Sequence, residues 1–368
     1  MQTTYILNMM KNILIFLVIV LWPIMVCCNS NSVQSNPEPY PWKTSTPQEQ
    51  GFDPAILATA FEQADSAGFI DALLVIRNGY IVAEEYYNDC DAEVPHNVMS
   101  VSKSFLSAMT GLALEQGYLD SLGEKMMDYF PEYVYPEIDS REYDVTLRHL
   151  LTMRMGLEHE QQNYFQLHSS PDWVKATIEF PLTYDPGERF RYNTYETHLL
   201  SVIITRASEM STFDFAEQYL TGPLGIDCDL WETDPQGNYF GGNTMYFTPR
   251  EMAVLGYVYQ HNGKLGESQI VPAEWVELTL SPSTNNDPNE WGSLKNIDYA
   301  YLWWLGELKG YEVFSAIGHG GQFVMNVPAL NMIIVSTANN NVGWDTADEQ
   351  ERAVVSIMSN YILPAVVD

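Results

Sequence analysis

The sequence is short of positive charge. Its 368 residues hold 17 Lys and Arg against 48 Asp and Glu, a formal net charge of -31 at pH 7. Such a surface repels phosphate backbones, which excludes nucleic acid as a partner. The acidic residues are spread along the whole chain, so they read as a solvated surface rather than as a dock for cationic substrates. Cysteine is scarce too. Of the four, Cys27 and Cys28 lie near the N-terminus, which leaves Cys90 and Cys228. Two isolated thiols make no disulfide scaffold, though a single bridge between them is compatible with an oxidising compartment. No Cys/His cluster has zinc-ligand spacing, and neither a metal nor a cofactor is expected. Leu157-Glu158-His159-Glu160 comes nearest, but it lacks the paired histidines of a metalloprotease helix and reads as a polar loop. There is no internal repeat, and the longest apolar run is too short to span a bilayer comfortably.

That run has another reading. Lys11 precedes Ile13 to Val26, followed by Cys27, Cys28 and a polar stretch from Asn29 to Pro39. The pattern predicts a signal peptide over residues 1–28 and a linker over 29–45. Ile24-Met25-Val26-Cys27 resembles a bacterial lipoprotein signal, except that Val26 stands where a small residue usually precedes the cysteine. The protein is therefore expected outside the cytoplasm. It would be secreted or periplasmic, or attached to the membrane of the cell envelope through a lipidated Cys27 or Cys28. The rest, in a chain 46% hydrophobic, suits one large domain or two closely packed ones.

Beyond the linker, Asp53 to Ala67 has helical apolar spacing, with Ile56, Leu57, Ala60, Phe61 and Ala64 on one side. Asp71 to Tyr87 predicts a β-hairpin, because Asn78-Gly79 separates two β-rich runs. From Ser100 to about Pro282 helices and long loops dominate, with helices predicted over 102–116, 146–153 and 196–209. Strands return as Tyr299 to Leu305, Tyr311 to Ile317, Phe323 to Val327 and Met332 to Thr337. An amphipathic helix from about Ala347 to Ile362 closes the chain. Strands at both ends must join into one sheet, which brings the start and finish of the helical insert together. The predicted fold is α+β, an antiparallel sheet from residues 46–99 and 296–368 flanked by helices, with a mainly helical domain over 100–295. Ser100 sits at the boundary.

Ser100-Val101-Ser102-Lys103 is the only Ser-x-x-Lys in the chain. Residues three apart share a helix face, so the Ser100 hydroxyl and Lys103 amine can meet. A serine hydroxyl needs a neighbouring base to act as a nucleophile, and a lysine shielded from water can lose its proton and serve as one. A helix N-terminus also aims backbone N–H groups at a developing oxyanion. The plainer reading is a capping serine followed by a solvated lysine, and on four residues alone it is the commoner outcome.

Further motifs tip the balance. Met99-Ser100-Val101-Ser102-Lys103-Ser104 resembles the nucleophile motif of serine β-lactamases and penicillin-binding proteins, above all the class C β-lactamase-like group with its esterases, D-aminopeptidases and nylon-oligomer hydrolases. Thr146-Leu147-Arg148-His149-Leu150-Leu151-Thr152-Met153 with Gly156-Leu157 is similar to a signature helix and turn of that group. Pro186-Gly187-Glu188-Arg189-Phe190-Arg191-Tyr192 resembles the approach to its second motif, and Gly318-His319-Gly320-Gly321-Gln322 its third. The resemblance runs from about Trp42 to the C-terminus with the motifs in family order.

It implies a β-lactamase/transpeptidase-like fold and a serine hydrolase that cleaves an ester or amide of a small molecule through an acyl-enzyme on Ser100. Lys103 and Tyr192 would handle protons, and which of them takes the serine proton is left open. Thr194 replaces the amide of the family's Tyr-x-Asn, or caps the following helix. His319, Gly320 and Gly321 stand where β-lactamases carry Lys-Thr-Gly and would bind substrate, while the amides of Ser100 and Gln322 would form the oxyanion hole. A β-lactam carboxylate would find no fixed charge on His319, which favours small esters and amides. β-Lactamase, D-aminopeptidase or DD-carboxypeptidase activity on cell-wall-like substrates is one alternative, and a non-catalytic envelope binding protein is another.

Overall fold

The computed structural model describes residues 40–228, 230–282 and 289–367. The predicted signal peptide, with Cys27 and Cys28, lies outside the described residues. Nine strands form one sheet. In chain order they are β1 (Lys43–Thr44), β2 (Ile70–Arg77), β3 (Tyr80–Tyr86), β4 (Asn289–Trp291), β5 (Leu294–Ala300), β6 (Trp303–Leu308), β7 (Tyr311–Gly318), β8 (Gln322–Val327) and β9 (Met332–Ala338). Their spatial order is β1-β3-β2-β9-β8-β7-β6-β5-β4. Every neighbouring pair is antiparallel except the edge strand β1, which joins β3 in parallel. The expected antiparallel sheet from both ends of the chain is thus present, and β9 pairing with β2 is the seam that closes it.

Local chemistry accounts for the first elements. Asp53 caps α1 (Pro54–Ala67), accepting from the N–H groups of Ala55 and Ile56 at 2.9 and 3.2 Å, and Gly68 ends it at φ 71°. Asn78 and Gly79 adopt φ 54° and 79°, the left-handed pair that a two-residue hairpin turn requires. Both faces of β2 are covered, so Ile70–Arg77 reads as an almost unbroken apolar run. Ala72, Leu74 and Ile76 face one core and Leu73 and Val75 the other. The second core is closed by α1 and by a C-terminal helix. The first is closed by the helical insert, chiefly α2 (Ser102–Glu115), α3 (Leu147–Leu151), α4 (Thr194–Ser208) and α5 (Pro249–Gln260). The C-terminal helix, α6 (Trp344–Ile357), starts three residues before the predicted one and runs on as a π-helical turn, Met358–Ile362.

One expectation fails. Tyr299 to Leu305 is not a single strand but the end of β5, a turn and the start of β6. Tyr301 and Leu302, at φ 45° and 72°, make that turn without the Gly or Asn that would have marked it in the sequence. Contacts distant in sequence hold it instead. Ser104 on α2 donates to the Leu302 carbonyl at 2.8 Å, and the Arg148 guanidinium bonds the Tyr301 hydroxyl. The turn therefore rests on α2, two residues past its start.

α2 is packed too tightly for an added methyl at one position. A Cβ on Gly111 would lie 2.4 Å from Cγ of the buried Trp275 indole. Gly111→Ala is expected to lower the melting temperature, because overpacking costs about 1–3 kcal/mol, more than the roughly 1 kcal/mol gained from helix propensity. Gly123→Ala, whose Cβ meets nothing nearer than 3.5 Å, is the control and should change it little. Thermal denaturation of the two variants beside the wild type checks the difference.

Candidate active site

Ser100 lies in a single 3-10 turn, Met99–Val101, directly before α2. Asn97 accepts from the Met99 N–H at 2.9 Å, and Met99 itself is left-handed at φ 51°, a strained backbone for a non-glycine residue of the kind that clusters at active sites. The end of β7 presses against this turn. A Cβ on Gly318 would stand 2.4 Å from the Val98 carbonyl oxygen, so only glycine permits the contact. The sheet and the helical insert meet here, as the order of elements implied.

Lys103 is in the first turn of α2, three residues past Ser100, and fully buried, with 1% of its surface exposed. Its Nζ donates to Ser100 Oγ at 2.8 Å, to Thr194 Oγ1 at 3.0 Å and to the Gly242 carbonyl at 2.7 Å. Three acceptors match the three N–H bonds of an ammonium. Once a proton is lost, the lone pair can accept from the Ser100 hydroxyl instead. Burial pushes the Lys103 pKa from 10.5 down to about 8, and the charge of Glu160 offsets part of that shift.

Glu160 was missed in the sequence, where it passed as part of a polar loop. The loop is real, but the Glu160 side chain turns inward and is buried. Its Oε2 accepts from the Thr194 N–H at 2.9 Å and from the Thr194 hydroxyl, which in turn accepts from Lys103. Thr194 is therefore not the cap of α4. Asn193 caps it, accepting from the Tyr195 N–H at 3.0 Å, and Thr194 is free to link Lys103 to Glu160. No periodicity or spacing marks such a carboxylate. Only a partner distant in the chain does.

Tyr192 comes into the same site. Lys103 Nζ is 4.9 Å from its ring centroid, and the ring stacks on Trp304 with centroids 5.7 Å apart. Burial and the charge of Glu160 hold its phenol well above the ordinary tyrosine range, against a smaller opposing pull from Ser100. Tyr192 is thus held in its protonated form, whereas Lys103 is eased towards its neutral one.

The third motif arranges itself differently from its sequence assignment. Gly320 and Gly321, at φ 83° and 112°, form the β7–β8 turn and do not line the cavity. Gln322 is wholly buried at the start of β8, and its side chain is spent on Ala338, donating to the carbonyl at 2.7 Å and accepting from the N–H at 3.1 Å. Gly318 and His319 are the residues that line the cavity beside Ser100. The Gly318 carbonyl accepts from the Gly321 N–H at 3.3 Å, inside the turn. In a trans peptide the next N–H points the opposite way, so that of His319 faces out of the hairpin, and His319 lines the cavity. The imidazole is pinned by donation from Nε2 to the Val342 carbonyl at 2.9 Å.

The cavity has a volume of about 490 Å³, the size of a small-molecule site. Trp291, Trp304, Trp344 and Phe190 give it aromatic walls. Glu351 of α6 reaches it from below, its Oε1 accepting from the Gly320 N–H at 2.9 Å, and burial pushes its carboxyl up to about 8. Among the described residues no helix is long and apolar enough to cross a membrane.

Comparison with known proteins agrees with this geometry. The sequence matches the beta-lactamase family over residues 61–357. A 6-aminohexanoate-dimer hydrolase of Paenarthrobacter ureafaciens is 25% identical over 290 residues, covering 73% of this chain and 72% of that protein. A Bacillus anthracis protein provisionally named a 6-aminohexanoate-dimer hydrolase superimposes with a TM-score of 0.71 at 20% identity, covering 89% of this chain and 88% of its own. EstCE1, a hydrolase with promiscuous acyltransferase activity, gives a TM-score of 0.64 at 16% identity over 84% of this chain and 98% of its own. The fold is thus of the β-lactamase/transpeptidase type, and the chain belongs to the beta-lactamase family as a serine hydrolase.

Proposed function

We propose that this enzyme hydrolyses small linear amides, and the corresponding activated esters, through an acyl-enzyme on Ser100. The observation that carries the reading is the buried Lys103 amine 2.8 Å from Ser100 Oγ with its pKa lowered to about 8. Neutral Lys103 takes the Ser100 proton as Oγ attacks the carbonyl carbon. The N–H groups of Ser100 and His319, the latter in place of Gln322, hold the oxyanion. Tyr192, protonated and beside Lys103, passes the proton to the leaving nitrogen as the C–N bond breaks. Water then attacks the acyl carbon, gives its proton back through the same pair, and frees the acid and Ser100.

Two features favour amides and esters over β-lactams. A relative among curated proteins is named 6-aminohexanoate-dimer hydrolase. The His319 ring is turned to Val342, and the two arginines that line the cavity, Arg191 and Arg352, are paired with Glu158 and Asp348. A location outside the cytoplasm, either secreted or periplasmic or anchored through a lipid on Cys27 or Cys28, belongs to the same proposal and rests on the apolar run before those cysteines.

A fluorophosphonate probe should label Ser100, with labelling and turnover both lost in Ser100→Ala. Mass spectrometry of the labelled peptide checks this, and turnover that survives the substitution contradicts it. Lys103→Ala and Tyr192→Phe should each lower kcat by about 10²–10⁴-fold, and the double variant should be little worse than the weaker single one.

The pH dependence has a definite sign. Lys103 acts as a base, so kcat/KM should rise with pH through about 8. The Glu160 charge favours the ammonium, so Glu160→Gln should move that rise to lower pH, whatever it does to the maximum rate. A profile of kcat/KM on a p-nitrophenyl ester whose limb is unmoved by Glu160→Gln would show that Lys103 is not the titrating base.

A further inference from the structure

Asp71 opens β2, Cys90 follows β3, and His96 begins a two-residue strand, His96–Asn97, that pairs with Tyr246–Phe247. Nothing in their spacing suggests a site, yet the fold brings one donor atom from each within 4.8 Å of the others. Asn88 and Asp89, left-handed at φ 54° and 62°, curl the chain so that Cys90 turns back towards β2. His96 Nδ1 is 3.8 Å from Asp71 Oδ2, too long for a hydrogen bond.

The histidine is otherwise unaccounted for. Its side chain is only 9% exposed, and Nε2 is buried with no hydrogen-bond partner. Asp71 is already oriented, because Asn88 Nδ2 donates to Oδ1 at 3.1 Å and leaves Oδ2 facing the imidazole. Such a partner beyond the ligands is what fixes a metal-binding carboxylate. Asp89 and Asp91 add negative charge around the sulfur. A polar cleft of about 440 Å³, lined by Asp71, His96, Asn97 and Asn339, gives access from solvent. Bonds of about 2.0–2.3 Å to a tetrahedral ion put ligand atoms about 3.3–3.5 Å apart, so donors that lie within 4.8 Å of one another would close by roughly 1.5 Å or less.

We propose that Asp71, Cys90 and His96 bind a zinc-like divalent transition ion, with water from the cleft as the fourth ligand. Sulfur and nitrogen donors select such an ion over Mg²⁺ or Ca²⁺, which take oxygen. Cys90 binds as the thiolate and its proton passes to solvent. The ion ties β2 to the strand that leads into the nucleophile turn, since Asn97 holds both the Met99 N–H and the Asn340 side chain, the latter donating to the Asn97 carbonyl at 2.9 Å. The site stands apart from Ser100 chemistry, and its test does not depend on activity.

The full chain with Cys27→Ser and Cys28→Ser as background, stripped with chelator, is titrated with Co²⁺ and Zn²⁺. The expected result is one-to-one binding, a near-ultraviolet Co²⁺–thiolate band, and a higher melting temperature with Zn²⁺. Cys90→Ser should abolish the band and the Zn²⁺ stabilisation. His96→Gln and Asp71→Asn should weaken Zn²⁺ binding by about tenfold or more. Absence of the band before any further substitution, or a band that survives Cys90→Ser, overturns the proposal. Equal Zn²⁺ affinity in all of these proteins does the same.

Discussion

A lysine amine taken out of water is the feature on which the rest of this structure turns. Burying Lys103 is unfavourable for its charged form, and three acceptors and one carboxylate are arranged to make it tolerable. The balance is deliberate in its effect. Without Glu160 the amine would lose its proton too readily and the site would forfeit the ammonium that ties Ser100, Thr194 and Gly242 together. With full solvation the amine would stay protonated and Ser100 would have no base. The intermediate pKa of about 8 needs both the burial and the Glu160 charge.

The residues responsible come from three parts of the chain, which explains the architecture around them. The turn before α2 supplies Ser100, α2 supplies Lys103, the loop before α4 supplies Glu160, and α4 supplies Thr194. The sheet adds the oxyanion side, where Gly318 lets β7 lie against the nucleophile turn. Closing the sheet by the β9–β2 seam brings the ends of the helical insert together, so the distance between α2 and β7 is set by the whole fold and not by a local loop. The left-handed turn at Tyr301-Leu302 belongs to the same arrangement, since Ser104 of α2 holds it.

Much of this was legible in the sequence, for physical reasons that differ by element. Asn78-Gly79 announced a hairpin because few residues tolerate that backbone. The period of Leu57, Ala60, Phe61 and Ala64 announced α1 because one helix face had to be buried. Ser100 and Lys103 stood out because helical geometry joins them without help from the rest of the chain. What escaped depends on partners far away in sequence. Glu160 looks like any loop glutamate until Thr194 and Lys103 are placed beside it. Tyr301-Leu302 has no turn chemistry of its own. Gln322 was assigned to the oxyanion hole by alignment, whereas the proposed reading, with His319 in its place, rests on a single hydrogen bond, Gly321 N–H to Gly318 carbonyl, that no sequence pattern marks.

The central claim is that Lys103 is neutral often enough at physiological pH to act as the base. Its own titration is the most direct test. Side-chain ¹⁵N NMR of the lysines, with Lys103 assigned by comparison with Lys103→Arg, gives the pKa without reference to any substrate. A value of about 8 is expected. A Lys103 that titrates near the ordinary 10.5 would contradict the account, because the amine would then be an ammonium throughout the working range and Ser100 would lack its base.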